Sequence, residues 1–165
     1  MFSNQDIVRG TLQAYVDKDR EAIEQSIAED FHFSSPLDNR IDRDTYFRLC
    51  WPNSRNMEDF EVVRMATDGD AVFVTYIGTV SGRRFRNTEV HTLRDSKIVE
   101  VEVYFGWNVP HDVAEGEHAD PKTEPAIARP HSAASATFSK SASARNRSAS
   151  SAAMQPVPAA VTAWR

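Results

Sequence analysis

The alternation of hydrophobic and polar positions predicts helices in the first third of the chain and strands afterwards. The predicted helices are 3–18, 19–30 and 42–50, and Ser3, Asp19 and Asp42 can cap them. From about Glu58 the apolar period changes from helical to two, with turn residues between the runs. The predicted strands are 31–34, 60–66, 71–80, 84–93 and 98–105, and residues 35–39 are a predicted loop. Helices followed by antiparallel strands indicate an α+β fold whose helices cover one face of a single sheet.

The last two predicted strands form a hairpin, residues 84–107, that carries an unusual row of polar side chains. Alternation in its first strand places Asn87, Glu89 and His91 on the same face as Phe85 and Leu93. In the second strand, Val99, Val101, Val103 and Phe105 share one face, and Glu100, Glu102 and Tyr104 share the other. A buried carboxylate or imidazole without a partner is costly, so this row requires a neighbour, water or a ligand.

Glu89 and His91 are the candidate chemical groups of this row. Burial favours a protonated carboxyl group, whereas pairing with His91 favours the carboxylate. Either state suits proton transfer or donation to a carbonyl oxygen, and a structural hydrogen-bonded pair stays open as the alternative. The pair could contribute two metal ligands but no third is evident, so we expect neither a metal nor another cofactor.

Two of the predicted strands, 71–80 and 98–105, are apolar on almost every residue. In the first, Phe73 and Ile77 lie on the face opposite to Val72, Val74, Tyr76 and Val80. A sheet with one solvated face would alternate cleanly, so a second element must cover the other face. Because few helices are available, the sequence predicts a two-fold homodimer packed sheet to sheet.

Composition separates a folded part from a tail among the 165 residues. We predict a domain over 1–115 and a disordered, basic, Ala/Ser-rich tail over 116–165, because the tail has few large apolar side chains to bury. The formal charge of −5 divides into +5 for residues 126–165 and therefore −10 for the rest. An acidic folded part argues against nucleic acid as a partner.

Cysteine usage and hydropathy indicate a compartment. The single cysteine, Cys50, cannot form an internal disulfide, which is consistent with a reducing compartment. No apolar run approaches the ~20 residues of a membrane helix, and the N-terminus lacks a signal-peptide pattern. We therefore expect a cytoplasmic protein without a membrane partner.

The order of these elements resembles a known superfamily. Three helices, a short strand ending in Ser-Ser-Pro-Leu-Asp at 34–38, and a meander closing on Lys-Ile-Val-Glu-Val-Glu-Val-Tyr-Phe-Gly at 97–106 resemble the nuclear-transport-factor-two-like proteins, especially their SnoaL-like branch of polyketide cyclases. The resemblance covers about residues 3 to 115. It implies a cone, in which a curved antiparallel or mixed sheet wraps around three N-terminal helices and leaves a pocket for a small, mostly apolar ligand.

The same resemblance extends to the ketosteroid isomerases, with departures. Glu89 falls where those enzymes have a protonated oxyanion-hole aspartate. Their pocket-lining positions fall on Val101, Val103 and Phe105. However, Ser35 precedes Pro36 where the isomerases have their general-base aspartate, and Thr11 falls at their oxyanion tyrosine. Two of the three catalytic groups are missing, so we do not expect steroid isomerisation by that mechanism.

SnoaL-type cyclases move a proton with an acid/base pair, which implies Glu89 and His91 as the catalytic pair here. Asn87 is then a positioning hydrogen-bonding group. Secondary candidates around the pocket mouth are Tyr15, Asp38, Tyr46 and Trp51. For Asp38 the alternative is a solvated turn residue, and for the aromatic residues it is a place in the core. The expected function is a cofactor-free cyclase, isomerase or lyase acting on a small apolar carbonyl compound. The alternative is a non-catalytic ligand-binding or dimeric adaptor domain.

Overall fold

The computed structural model of the protein describes residues 2–120, so the predicted tail lies outside the described residues from 121 onward. The helices are α1 Asn4–Asp17, α2 Arg20–Ser26 and α3 Arg43–Leu49, followed by a short 3-10 helix, Trp51–Asn56. The strands are β1 Ile27–Ser35, β2 Asp38–Asp42, β3 Met57–Asp68, β4 Ala71–Val80, β5 Arg83–Arg94 and β6 Lys97–Val109.

The three predicted helix starts are confirmed. In α1 the Ser3 hydroxyl accepts from the Asp6 N–H at 3.2 Å, and the Asp6 carboxylate accepts from the Ser3 N–H at 2.9 Å, which is a complete capping box. Asp19 caps α2 and Asp42 caps α3, each by accepting from the backbone N–H three residues on. Side chains that satisfy these otherwise unpaired donors fix where each helix begins.

Two boundaries between the second and third helices differ from the predictions. The second helix ends at Ser26 instead of about residue 30, because Ile27 turns to extended backbone and β1 begins there. The predicted loop after β1 contains an additional strand, β2, which pairs antiparallel with β1. This edge strand is mostly exposed, so it has no buried face to produce an apolar pattern.

The six strands form one mixed, curved and open sheet in the order β2-β1-β6-β5-β4-β3. All neighbouring strands are antiparallel except β1 and β6, which are parallel. Side chains from α1 and α2 such as Val8, Leu12 and Ile23 join the inner residues of the strands in one core. The predicted α+β cone is therefore confirmed.

The alternation of the hairpin is confirmed in β5 and corrected in β6. In β5 the buried positions are Phe85, Asn87, Glu89, His91 and Leu93, as predicted. In β6 Ile98 is fully buried instead of Val99, because the register shifts where Leu93 pairs with Ile98 and Thr92 pairs with Glu100. This β-bulge adds one residue to β6 and restores the predicted alternation only from Val101 onward.

A second bulge in β6 lies at Gly106, opposite Arg86 and Asn87. A Cβ atom on Gly106 would collide with the carbonyl oxygen of Arg86, so the two strands approach too closely there for any side chain. The Asn87 side-chain oxygen accepts from the Gly106 N–H at 3.1 Å, which supplies a partner where the ladder is interrupted.

The last described residues, 113–120, contain no helix or strand. Residues 113–120 belong to a second compact unit, in which the Glu117 N–H donates to the Ala114 carbonyl at 3.1 Å. The domain boundary at residue 115 stays a prediction. Over residues 2–120, no helix has the length and apolar character needed to cross a bilayer.

Candidate functional site

The buried polar side chains of the described residues are concentrated on β5. They are Asn87, Glu89 and His91, at 1%, 5% and 3% exposure, and Ser54 in the 3-10 helix. Positions two apart on a strand share a face, so the β5 side chains form a row across the inner surface of the sheet. Because these side chains are buried, each polar group requires a hydrogen-bond partner inside the protein.

Both carboxylate oxygens of Glu89 have partners. The Tyr76 hydroxyl, from β4, donates to Oε1 at 2.7 Å, and Nε2 of His91 lies 2.9 Å from Oε2. Burial, reinforced by the charge of Glu89, raises the pKa of Tyr76 well above its usual value, so the phenol stays protonated and acts as the donor. The sequence pattern placed Tyr76 on the same strand face as Val72, Val74 and Val80 but did not identify it as a site residue, because a buried tyrosine most often belongs to the core.

His91 has one engaged ring nitrogen and one free one. Nε2 faces Glu89, whereas Nδ1 is buried and has no hydrogen-bond partner among the described residues. From this network we assign the proton to Nε2, where the carboxylate accepts it, which leaves the Nδ1 lone pair unused. A carboxylate that holds an imidazole in one tautomer prepares the other nitrogen to accept a proton.

Glu89 and His91 line a small internal cavity, which we call the inner cavity. Its other described lining residues come from the helices and the facing strands: Thr11, Leu12, Tyr15, Ile23, Ile27, Phe31, Phe33, Tyr46, Phe60, Ile98 and Val101. The volume is about 40 Å³, which accommodates about three water molecules. Sites for drug-sized ligands span roughly 300–1,000 Å³, so this cavity accepts only a small molecule or the end of a larger one.

A second, larger pocket adjoins the first, and we call it the outer pocket. It has a volume of about 250 Å³, and Phe33 lines both spaces. Its described lining residues are Phe33, Ser35, Leu37, Asp38, Leu49, Cys50, Asn53, Val103 and Phe105. The two spaces therefore share one aromatic wall.

The structure divides the predicted site residues among several places. Tyr15, Tyr46 and Val101 join the catalytic candidates around the inner cavity, and Asp38, Val103 and Phe105 line the outer pocket. Two predicted residues line neither space. Trp51 packs edge-on against Tyr15 with 5.3 Å between ring centroids, and Asn87 holds the Gly106 bulge. Nδ2 of Asn87 is buried and meets no acceptor in the described part of the chain.

Two tyrosines and the cysteine around the two spaces are neutral. Burial raises the pKa of Tyr15, whose hydroxyl donates to the Cys50 carbonyl at 3.0 Å, and it raises that of Tyr46. Burial, together with the charge of Asp38, raises the pKa of the Cys50 thiol to about 12. A thiol that stays protonated is a poor nucleophile, so Cys50 is part of the wall. In the part of the chain that the structure describes, no group of three or more His, Cys, Asp or Glu side chains could hold a metal ion.

Comparison with known families gives one match at the level of sequence. A family model described as a SnoaL-like domain matches residues 8–101, which is more than half of the chain. No functionally curated protein matches the chain.

Solved structures share the fold at low sequence identity. An NTF2-like protein of unknown function from Cytophaga hutchinsonii is 20% identical with a TM-score of 0.55, over 64% of this chain and 92% of that one. IdmH, a putative polyketide cyclase from Streptomyces antibioticus, is 22% identical with a TM-score of 0.52, over 62% and 91%. An LEH-like epoxide hydrolase from M. tuberculosis is 21% identical with a TM-score of 0.51, over 61% and 80%. These likenesses show an NTF2-like fold shared by proteins of different activities.

Proposed function

Because the chain belongs to the SnoaL-like domain family, we propose that it is a cofactor-free enzyme that moves a proton on a small, mostly apolar carbonyl compound. Cyclases, isomerases and lyases perform this kind of step. The observation that carries the proposal is the buried Nδ1 of His91 without a hydrogen-bond partner, on a residue that lines a cavity and beside a carboxylate that orients the ring. The walls of the cavity are mostly apolar, which suits the carbon skeleton of such a substrate.

In the proposed step, His91 acts as the base. Nδ1 takes a proton from the carbon next to the carbonyl group. The electron pair of that C–H bond forms a carbon–carbon double bond, and the π electron pair of the carbonyl group moves to its oxygen to give an enolate. The Glu89 carboxylate stabilises the imidazolium that forms, and His91 later returns the proton to a different atom of the substrate. Glu89 is therefore the orienting group in this scheme, because both of its oxygens are already engaged.

Tyr46 is the candidate donor to the developing oxyanion. It lines the inner cavity, and its ring packs edge-on against Phe31. Its raised pKa keeps the proton on the phenol, which allows it to donate to negative charge on the substrate. A donor fixed by packing against Phe31 and Phe33, at 5.3 Å from each ring, would need little reorganisation during the reaction.

Exchange of α-protons in D₂O tests this proposal without knowledge of the natural substrate. Acetone is the smallest ketone and butanone extends it by one carbon, so these two serve as probes, and ¹H NMR follows the loss of their α-proton signals. We expect exchange above the buffer rate with the wild type and none above it with His91→Gln or Glu89→Gln. Glu29→Gln is a matched control, because the Glu29 side chain is 91% exposed and lines neither space. Exchange that persists in both cavity variants would remove the assignment.

A second candidate function is ligand binding without chemistry. One observation favours it: the two Glu89 oxygens are satisfied by Tyr76 and His91, as in a purely structural network. In that case no ketone exchanges faster than in buffer, and Glu89 substitutions change stability alone. Small molecules would still raise the melting temperature by binding the folded state.

The proposal includes a two-fold homodimer through the outer face of the sheet. That face exposes large apolar side chains on β4 and β6, with Phe73 at 42%, Tyr104 at 55% and Trp107 at 47% exposure. Phe73 pairs with Val90, and Tyr104 pairs with Thr88, so the patch spans three neighbouring strands. A second copy would remove this area from water. A cytoplasmic location is the companion prediction.

A further inference from the structure

The outer pocket combines apolar walls with a single charge. Phe33, Leu37, Leu49, Val103 and Phe105 supply hydrocarbon and aromatic surface around a space of about 250 Å³. Asp38 is the one formally charged residue among the described lining residues, and the Cys50 thiol in the same wall is neutral at physiological pH. The pocket therefore carries a net negative charge next to surfaces that attract an organic group.

The Asp38 carboxylate has no cationic partner among residues 2–120. The Ser35 hydroxyl donates to Oδ2 at 2.6 Å, and Oδ1 accepts no hydrogen bond from a described residue. The nearest arginine in the sequence, Arg40, is paired with Glu100 at 2.5 Å instead. One carboxylate oxygen is therefore available, and after burial the charge of Asp38 is the second cause of the raised pKa of Cys50.

The number and type of oxygen ligands in the outer pocket indicate which class of cation it can bind. Calcium takes six to eight oxygen ligands, whereas the side chains of this pocket offer one carboxylate, one hydroxyl and the amide of Asn53. An alkyl- or arylammonium ion needs only one charged acceptor for its N–H groups, and the rest of the molecule gains by contact with apolar walls. The rings of Phe33 and Phe105 can add a cation–π contribution.

We propose that the outer pocket binds the ammonium group of a small organic amine, which pairs with the free oxygen of Asp38 while its apolar part lies against Phe33, Val103 and Phe105. This site does not depend on the chemistry proposed for the inner cavity, since it uses none of the same polar groups. If both proposals hold, the substrate carries an amine at one end and reaches past Phe33 with the other.

A titration with three probes that share one ring tests the site. Benzylammonium, benzyl alcohol and benzoate are added to the full-length protein at low ionic strength, and ¹H–¹⁵N and methyl NMR shifts report binding. We expect benzylammonium to bind at least about tenfold more tightly than benzyl alcohol, and benzoate more weakly than either. The shifts should centre on Leu37, Leu49 and Val103.

Variants show whether the preference comes from Asp38. Asp38→Asn should remove the difference between benzylammonium and benzyl alcohol, whereas Asp59→Asn, on the exposed edge of β3, should preserve it. Leu49→Lys provides a second test that does not disturb Asp38, because Leu49 is exposed and tolerates a polar side chain. Its ammonium group should compete for the carboxylate and weaken benzylammonium selectively.

Several results would overturn the inference. Equal affinity for the charged and neutral probes, a preference that survives Asp38→Asn, or shifts confined to another surface would each do so. Absence of binding by every probe would do so as well. Loss of α-proton exchange in the inner cavity would leave this result unaffected, so the two proposals fail separately.

Discussion

Replacing Glu89 with glutamine should move a proton on His91 without dismantling the site. In the wild type the carboxylate accepts from both Tyr76 and His91, which assigns the imidazole proton to Nε2. A glutamine can still accept from Tyr76 through its oxygen, but its amide nitrogen must donate to His91. The imidazole then has to carry its proton on Nδ1, and the free lone pair of that nitrogen is lost.

The opposite orientation of the amide is less favourable. It would leave the proton of the Tyr76 hydroxyl without an acceptor, and Tyr76 does not line the inner cavity. An Nδ1–H, in contrast, lies on a residue that lines a cavity with room for about three water molecules. Water can satisfy that donor, so the tautomer switch is the lower-energy outcome.

The magnitude follows from the partners that each variant leaves unpaired. Glu89→Gln keeps two hydrogen bonds but makes them neutral, which should lower the free energy of unfolding by about 1–2 kcal/mol. Glu89→Ala leaves the Tyr76 and His91 donors unpaired and opens a cavity, which should cost about 3–6 kcal/mol. For catalysis, an amide in place of the orienting carboxylate costs on the order of 10⁴ in rate in serine-protease triads, and the same logic applies here.

The assay is long-range ¹H–¹⁵N NMR of the histidine side chains, in which protonated and bare ring nitrogens have well-separated shifts. The chain has five histidines, and the spectrum of His91→Gln identifies the signals of His91 by their absence. Chemical denaturation of the same samples measures the two stability changes. A wild-type ring protonated on Nδ1, or a tautomer that does not change in Glu89→Gln, would refute the reasoning.

Three further results are expected. Gly106→Ala should lower the free energy of unfolding, measured by chemical denaturation, by more than about 3 kcal/mol, because its Cβ meets the Arg86 carbonyl. Gly10→Ala should raise it by about 0.4–1 kcal/mol, because Gly10 is an exposed helix position with open space around it. Equal effects of the two substitutions would contradict this reasoning. Phe73→Lys should convert the proposed dimer to a monomer in analytical ultracentrifugation, and a wild type that is monomeric at high concentration would contradict the dimer. Folding raises the pKa values of Tyr15, Tyr46 and Tyr76. The stability that these tyrosines contribute is therefore fully present below the unfolded pKa of about 10 and is lost as pH rises above it. Absorbance at 295 nm should therefore show Tyr104 ionising before alkaline unfolding and the other three tyrosines ionising with it, and early ionisation of all four would contradict the raised pKa values of those three.

The fold could be predicted from the sequence where one face of an element is buried. The caps at Ser3, Asp19 and Asp42 and the row on β5 all rest on local rules, namely capping chemistry and a period of two. The predictions were wrong where pairing with residues distant in the sequence determines the local structure. Ile27 is apolar in either a helix or a strand, and only its parallel pairing with Ile98 in β6 makes it the start of β1. The bulge that exchanges Val99 for Ile98 also depends on the partner strand.

The sequence predicted which residues form the candidate site, but it did not predict their geometry. Alternation identified Glu89 and His91 as inward-facing, but it could not show which of their atoms already have partners. The engagement of Glu89 by Tyr76 depends on the register between β4 and β5, which no local pattern specifies. Phe33 lines both interior spaces and packs against Tyr46 of α3, a contact between residues distant in the sequence for which the sequence carries no signal.

The Gly106 bulge has a consequence for any attempt to alter ligand preference. Val103 and Phe105 lie on β6 just before the bulge and form part of the outer pocket, while Asn87 anchors the bulge from the neighbouring strand and touches neither space. A change at Asn87 would therefore tilt the end of β6 and reshape the outer pocket from a distance. Libraries that vary only the residues facing the ligand would miss this position, and Asn87→Asp or Asn87→Ser would be the first variants to add to them.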